Sequence, residues 1–237
     1  VEAYLAHMKE GSVRPDLSCY THAIKTFVAV RNDDAVTQLW HSVKKNDFWP
    51  GLKTYSSIID AYARVGNVEM CESWFDDMNK RKLRPDTLVY NSLIHACVKS
   101  GIACNSDGHA VTSRSSDAEK WFARIQEDKL SPDATSYRNV IESFTCRKDV
   151  EGALVWLKRM QNHAASDFQR DYINNEAPST HDPACHNLIL DALADRGEVS
   201  TACDILQEMS DPSLYSFNIC LQALSKQANV QNPIENI

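Results

Sequence analysis

The sequence is organised by an internal repeat of about 35 residues. The repeat is marked by an aromatic residue or His followed by a polar residue. These markers are Tyr20-Thr21, Tyr55-Ser56, Tyr90-Asn91, Tyr137-Arg138, His186-Asn187 and Phe217-Asn218. The first three are 35 residues apart, and the later gaps are 47, 49 and 31 residues. Because one such unit cannot bury its own apolar face, the units are expected to stack and share a continuous core.

Each unit carries two stretches in which apolar residues recur at spacings of three and four. The first includes pairs such as Ile58-Ile59, and the second includes pairs such as Trp74-Phe75. This spacing predicts two amphipathic helices per unit. A Pro-Asp pair or a relative, as at Pro85-Asp86, closes the unit, and we expect the proline to end the second helix. The Trp side chains are predicted to pack in the core.

The predicted fold is therefore all-α, a right-handed α-solenoid of tandem 35-residue helix–turn–helix repeats. The units are placed at 1–16 (partial), 17–51, 52–86, 87–133, 134–182, 183–213 and 214–237 (partial). Two polar insertions, 102–116 and 162–182, are predicted to be surface loops. Since no polar capping helix marks either end, we expect the array to continue in both directions.

Composition narrows the functional classes. The chain is 43% apolar and 24% charged, which is typical of a folded soluble protein and not of disorder. No run of 18 apolar residues is present, so no membrane span is expected. The chain starts at Val1 without a targeting segment, which favours an internal piece or a mature form. A net charge of −7 argues against nucleic-acid binding unless positive charge is concentrated on one face.

The sequence offers no convincing enzyme or metal site. Its eight Cys residues form no CxxC pair and are predicted to be mostly buried free thiols in a reducing compartment. The only local cluster is His181, Asp182, Cys185 and His186. His186 occupies the position of the repeated Tyr, so packing is the favoured interpretation. Without a phosphate-binding Gly-rich loop or a hydrolase motif, we expect no catalysis, cofactor or small-molecule substrate.

The segments TYSSIIDAYARVGNVE, VYNSLIHACVKSG and KRKLRPD resemble the pentatricopeptide repeat family. The Tyr-Asn start and the Pro-Asp end distinguish them from tetratricopeptide repeats, whose period is 34 residues. The resemblance extends over nearly the whole chain. It implies a superhelix whose first helices line a concave groove and whose repeats each bind one base of single-stranded RNA.

In that family, base specificity rests on the polar residue after the Tyr and on the last residue of the repeat. The corresponding pairs here are Thr21 with Gly51, Ser56 with Asp86, Asn91 with Asp133, Arg138 with Asp182 and Asn187 with Ser213. The resemblance implies guanine for Ser56/Asp86, uracil for Asn91/Asp133 and cytosine for Asn187/Ser213. Gly51 and Arg138 depart from the family pattern, because one lacks a side chain and the other is too long.

Two further sets of residues are implied by the resemblance. Three residues before each specificity residue the family places an apolar side chain against the base. Here these positions are Ser18, Lys53, Leu88, Thr135 and Ala184, of which only Leu88 suits the role. Arg64, Lys99 and Lys226 share the position at which family lysines contact phosphate. The alternative is that these cations complement the dipole of the first helix.

Two functions remain in view. The first is an RNA-binding module of a mitochondrial or plastid factor in RNA processing, stability or translation. The alternative is a protein–protein scaffold subunit of a large organellar assembly, such as a ribosome or polymerase complex. The net negative charge and the poor base-stacking positions favour the alternative, and the charge of the groove would discriminate between the two.

Overall fold

A computed structural model describes residues 14–102, 116–171, 183–209 and 211–231, and these residues are almost entirely helical. The helices are α1 Leu17–Ala29, α2 Asp33–Lys45, α3 Leu52–Arg64, α4 Val68–Lys80, α5 Thr87–Ile102, α6 Ser116–Glu127, α7 Ala134–Cys146, α8 Val150–Asp171, α9 Pro183–Arg196, α10 Val199–Glu208 and α11 Leu214–Gln231. The described ranges contain no strand. None of their helices combines the length and apolar character needed to span a membrane.

The helices form two compact units, residues 1–130 and 131–237. In the first unit, α1 packs on α2, α3 on α4 and α5 on α6, while α3 also packs on both α1 and α5. In the second unit, α7 packs on α8 and α9 on α10, while α9 also packs on α7 and α11. Each unit therefore consists of helical hairpins stacked through their first helices, which confirms the predicted all-α repeat fold.

The repeated aromatic residue of the first helix joins the two helices of a hairpin. Tyr55 and Tyr90 are almost fully buried in the core of the first unit. The Tyr55 hydroxyl donates a hydrogen bond to Oδ2 of Asp77 on α4 at 2.5 Å, and the Tyr90 hydroxyl donates to Asp128 beyond α6. Burial, followed by the adjacent carboxylate, raises the pKa of both tyrosines. Both phenols therefore stay protonated and remain donors at neutral pH.

The second helices do not end at the prolines, contrary to the prediction. The helices α2, α4 and α6 end several residues earlier, where one residue adopts a left-handed conformation. These residues are Asp47 (φ 56°), Lys82 (φ 60°) and Lys129 (φ 59°). The next amide then turns back onto the helix, as in the bond from the Leu83 N–H to the Met78 carbonyl at 3.2 Å. The helix is closed by this C-terminal turn, and Pro85 only follows it.

The second insertion is not wholly a loop. The helix α8 extends through Asp171 and has 22 residues, so residues 162–171 of the predicted loop are helical. Because the apolar spacing that identifies a helix fades after Met160, the sequence pattern missed this extension. Residues 103–115 of the first insertion and 172–182 of the second lie outside the described residues.

The Trp and Cys predictions hold in part. Four of the five Trp residues are 7–8% exposed, but Trp49 is 87% exposed, so its predicted core position is wrong. Trp49 lies in the turn after α2, and its side chain is outside the core. The seven described Cys residues are free thiols, of which Cys71, Cys97, Cys185 and Cys220 are buried and Cys146 is exposed. Cys104 lies outside the described residues.

Candidate nucleic-acid interface

The five predicted base-specificity residues on the first helices share one helical register. Each is the fifth residue of its helix, because each helix begins three residues before the repeated aromatic residue or His. We call these residues the specificity row. They are Thr21, Ser56 and Asn91 in the first unit and Arg138 and Asn187 in the second. A shared register on packed first helices brings members of the row in the same unit next to one another.

The last residue of each described repeat is the N-cap of the next first helix. Asp86 Oδ1 accepts a hydrogen bond from the Val89 N–H at 3.0 Å at the start of α5. Asp133 Oδ1 accepts from the Ser136 N–H at 2.8 Å, and the Ser136 hydroxyl accepts from the Asp133 N–H at 3.2 Å. Both aspartates therefore stabilise a helix start, whatever else they bind. Gly51 provides no such bond for α3.

The structure brings the predicted pair Asn187 and Ser213 together through a third residue. The Ser216 hydroxyl donates to Asn187 Oδ1 at 2.7 Å and lies 3.0 Å from the Ser213 hydroxyl. Sequence reasoning missed Ser216, although it stands three residues after an N-cap, as Ser136 does. The bridge occupies Oδ1 of Asn187 and leaves the amide nitrogen as the donor group of the side chain.

The two hydroxyl members of the row in the first unit bond to their own helix. Thr21 Oγ1 donates to the Leu17 carbonyl at 2.7 Å, and Ser56 Oγ donates to the Leu52 carbonyl at 2.9 Å. Each hydroxyl keeps its lone pairs, so it can still accept a hydrogen bond from a base. Ser56 and Asn91 are each only 5% exposed, and Arg138 is partly buried. The side chains of these three residues therefore expose only a small polar area.

Two exposed side chains occupy the predicted base-stacking position. Leu88 is 60% exposed on the first turn of α5. Tyr215 has the same register on α11 and is 55% exposed, with its hydroxyl donating to Asp191 Oδ2 at 3.0 Å. Tyr215 is not among the residues that the resemblance implies, although its position three residues before Asn218 identifies it. Leucine and tyrosine both offer a flat or apolar contact to an unstacked base.

Two of the three cations predicted to contact phosphate have acidic neighbours. Arg64 Nε lies 3.0 Å from Asp60 Oδ2, with 72% of the arginine side chain exposed. Lys226 Nζ lies 3.1 Å from Asp195 Oδ1 and is also largely exposed. Lys99 is partly buried near the end of α5. Because exposed ion pairs contribute at most about 1 kcal/mol, both cations can exchange a carboxylate for a phosphate.

The candidate cluster for metal or nucleophilic chemistry is only partly described. Cys185 and His186 are buried in the core of the second unit, where His186 occupies the position of the repeated Tyr. His181 and Asp182 lie outside the described residues. Within the residues that the structure describes, no group of three or more His, Cys, Asp or Glu side chains could hold a metal ion.

Comparison with known proteins identifies the repeat. Three family models match: "PPR repeat family" at residues 50–99, "Pentatricopeptide repeat domain" at residues 4–63, and "PPR repeat" at residues 135–163 and 184–211. Together these matches cover more than half of the chain. No curated protein sequence gives a match.

Two solved structures have a similar fold. The crystal structure of PPR10 from maize has a TM-score of 0.52 and 18% identity, covering 96% of this chain and 39% of that chain. The structure of PPR10 in complex with an 18-nt psaJ RNA element also has a TM-score of 0.52 and 18% identity. It covers 98% of this chain and 36% of that chain. The chain thus spans less than two-fifths of the PPR10 chains that it matches. The helical hairpins, their repeated register and the family matches agree, and the chain belongs to the pentatricopeptide repeat family.

Proposed function

We propose that the protein binds single-stranded RNA at the members of the specificity row in each unit, with one base facing each repeat. The observation that carries this proposal is the bridge from Asn187 through Ser216 to Ser213. It joins the two members of a predicted specificity pair, which are 26 residues apart in the sequence. The described complex of PPR10 with an RNA element supports the same class of ligand.

The bridge has a chemical consequence for base selection. Because Asn187 Oδ1 accepts the Ser216 hydroxyl, the amide nitrogen is the group left to meet a base. An amide donor can bond to the O2 or N3 atom of cytosine, which are both acceptors. The hydroxyl of Ser213 can accept a bond from an exocyclic amine. Together these groups favour cytosine, in agreement with the family resemblance.

The first experiment compares Asn187→Ala and Ser216→Ala with Gln207→Ala, an exposed control on α10. RNA selected from a randomised pool is sequenced for each variant. We expect the wild type and the control to select cytosine at one nucleotide, and both test variants to lose that preference. Retention of the same preference by Asn187→Ala would contradict the proposal, as would equal and negligible binding of every RNA.

We further propose that the full-length protein acts in a mitochondrion or plastid. There it would capture an extended strand, block nucleases, or recruit processing, editing or translation machinery. This assignment follows from the family and from the class of ligand. Organelle fractionation tests the location, and sequencing of RNA crosslinked to the native full-length protein tests the target. Recovery of the protein only in the cytosol would overturn the organellar assignment.

A protein scaffold is the second candidate function, and one observation favours it. Arg64 and Lys226 both face carboxylates, and the whole chain has a net charge of −7. A surface already neutralised in this way attracts phosphate weakly. If this candidate is right, the native protein will co-purify with intact partner subunits after nuclease treatment, and the purified chain will not select any RNA sequence.

A further inference from the structure

A strip of exposed cations surrounds the turns that follow α2 and α4. We call it the turn strip. Its members are Lys44, Lys45, Trp49, Lys53, Lys80, Lys82 and Arg84, all exposed. It lies within the first unit, in two successive repeats. The strip shares no residue with the specificity row, although Lys53 lies three residues before Ser56 on α3, at the predicted base-stacking position.

The turn strip is strongly positive in a chain that is negative overall. None of its six cations forms an ion pair among the described residues. Two exposed acids lie near these cations: Asp47 in the first turn and Asp76, four residues before Lys80 on α4. Asp86 is partly buried and caps α5. The uncompensated charge is therefore concentrated here, in contrast to the paired Arg64 and Lys226.

Trp49 gives the strip a stacking surface. Its side chain is 87% exposed, and no other ring in the described residues lies against it. Lys45 and Lys80 are 35 residues apart, as are Trp49 and Arg84, so each pair shares a register in adjacent repeats. An exposed indole face can stack on one unstacked base, and the neighbouring cations can contact phosphates.

The strip ends at the next repeat. The corresponding turn after α6 carries Glu127, Asp128 and Lys129, all exposed, and is net negative. Positive charge at these turns is thus a property of two repeats and not of the fold. A general requirement for solubility would not make two turns positive and the corresponding turn of the next repeat negative.

We propose that the turn strip binds single-stranded RNA independently of base identity, with Trp49 stacking on one base and the cations contacting phosphates. The proposal rests on the proposed RNA binding but assigns it a second surface, formed by different residues. It explains how a chain with a net charge of −7 and few base-stacking residues can retain an RNA strand. Counterion release at the strip would add affinity without sequence preference.

The test uses the fluorescence of Trp49, because the other four Trp residues are 7–8% exposed. Acrylamide quenching is measured with and without a 12-nucleotide oligouridine RNA, and Trp49→Phe identifies the accessible component. We expect RNA to protect that component from quenching. We expect Trp49→Ala to lower affinity for oligouridine by about tenfold, since stacking contributes about 1–3 kcal/mol per base.

Charge variants provide an independent measurement. Lys45→Gln, Lys80→Gln and Arg84→Gln should each reduce the slope of log affinity against log salt by about 0.7. They should leave the selected RNA sequence unchanged. The control is Lys158→Gln, an exposed lysine on α8, for which no change is expected.

The outcomes separate this proposal from the proposed function. If RNA binds with the cytosine preference but does not protect Trp49 or depend on the strip cations, the strip proposal is overturned and the specificity row stands. Protection of Trp49 by oligoglutamate but not by RNA would also overturn it, in favour of an acidic protein partner. Absence of all RNA binding would overturn both proposals.

Discussion

The helices α3 and α11 have the same apolar pattern but different surroundings. The fourth, eighth and eleventh residues of α3 are Tyr55, Ile59 and Tyr62, which are at most 1% exposed. The corresponding residues of α11 are Phe217, Leu221 and Leu224, which are 45–61% exposed. In the first unit, α3 is packed by α1, α4 and α5. Within the described part of the second unit, α11 contacts α9 and α10.

The comparison shows that a repeat pattern by itself does not make a core. The amphipathic face of α3 is part of a core because its own second helix and the neighbouring first helices pack on it. Burial then contributes the free energy, at about 25 cal/mol per Å² of apolar surface. The same substitution should therefore have very different effects on the stability of α3 and α11.

The largest difference is expected for truncation of the eighth residue of each helix. Ile59→Ala should lower the free energy of unfolding by about 2–5 kcal/mol, because it leaves a cavity in a closed core. Leu221→Ala should change it by about 0.5 kcal/mol or less, because the side chain is 61% exposed. Urea unfolding followed by circular dichroism measures both values. Equal losses would show that α11 is covered as fully as α3.

Two glycines that lie between the helices of a hairpin have different surroundings. Gly66 and Gly197 both have positive φ, 73° and 74°. A Cβ at Gly66 would lie 3.1 Å from the Lys99 carbonyl carbon, whereas one at Gly197 would have no neighbour within 4 Å. We expect Gly66→Ala to cost about 2–3 kcal/mol and Gly197→Ala about 1 kcal/mol. A larger loss at Gly197 would refute the close approach of α5 to the Gly66 turn.

A smaller difference is expected for two tyrosine hydroxyls. Tyr55→Phe removes a buried donor to Asp77 and should cost about 1–2 kcal/mol. Tyr215→Phe removes an exposed bond to Asp191 and should cost about 0.5 kcal/mol or less. Thermal melts of the two variants give the ranking. An unchanged melting temperature for Tyr55→Phe would show that the bond to Asp77 does not hold the hairpin together.

The smallest effect is expected to be stabilising. Lys82 adopts φ 60° in the turn after α4, a conformation that costs a residue with a Cβ about 1 kcal/mol. Lys82→Gly should therefore raise the free energy of unfolding by about 0.5 kcal/mol. Lys80→Gly is the control, since it places glycine at the last residue of α4 and should lower stability by about 0.5 kcal/mol. Destabilisation by both variants would contradict the assigned turn.

The parts of the fold that follow from repeated positions could be predicted from the sequence. The burial of Tyr55 and His186 follows from their shared register, because each side chain packs at the same position between the helices of its hairpin. Trp49 was mispredicted because its residue type suggested a core position, whereas its place in a turn determined its exposure. The helical continuation to Asp171 was missed because an exposed helix lacks apolar periodicity.

The candidate site was predictable to a smaller extent. The specificity row follows from the register of the first helices. Ser216 was missed because its hydrogen bond to Asn187 connects two helices, and pairing of that kind is not visible in a single repeat. The turn strip was missed for a different reason. The net charge of −7 is a sum over the whole chain. It does not show where exposed cations lie close together.

The most direct test of RNA binding at the specificity row is photocrosslinking with an RNA pool that contains 4-thiouridine. Crosslinked peptides are then mapped by mass spectrometry. We predict crosslinks at the starts of first helices, above all at Tyr215 and beside Leu88, and their loss when unlabelled pool RNA competes. Crosslinks confined to second helices, or none above the level of a heat-unfolded control, would contradict the account.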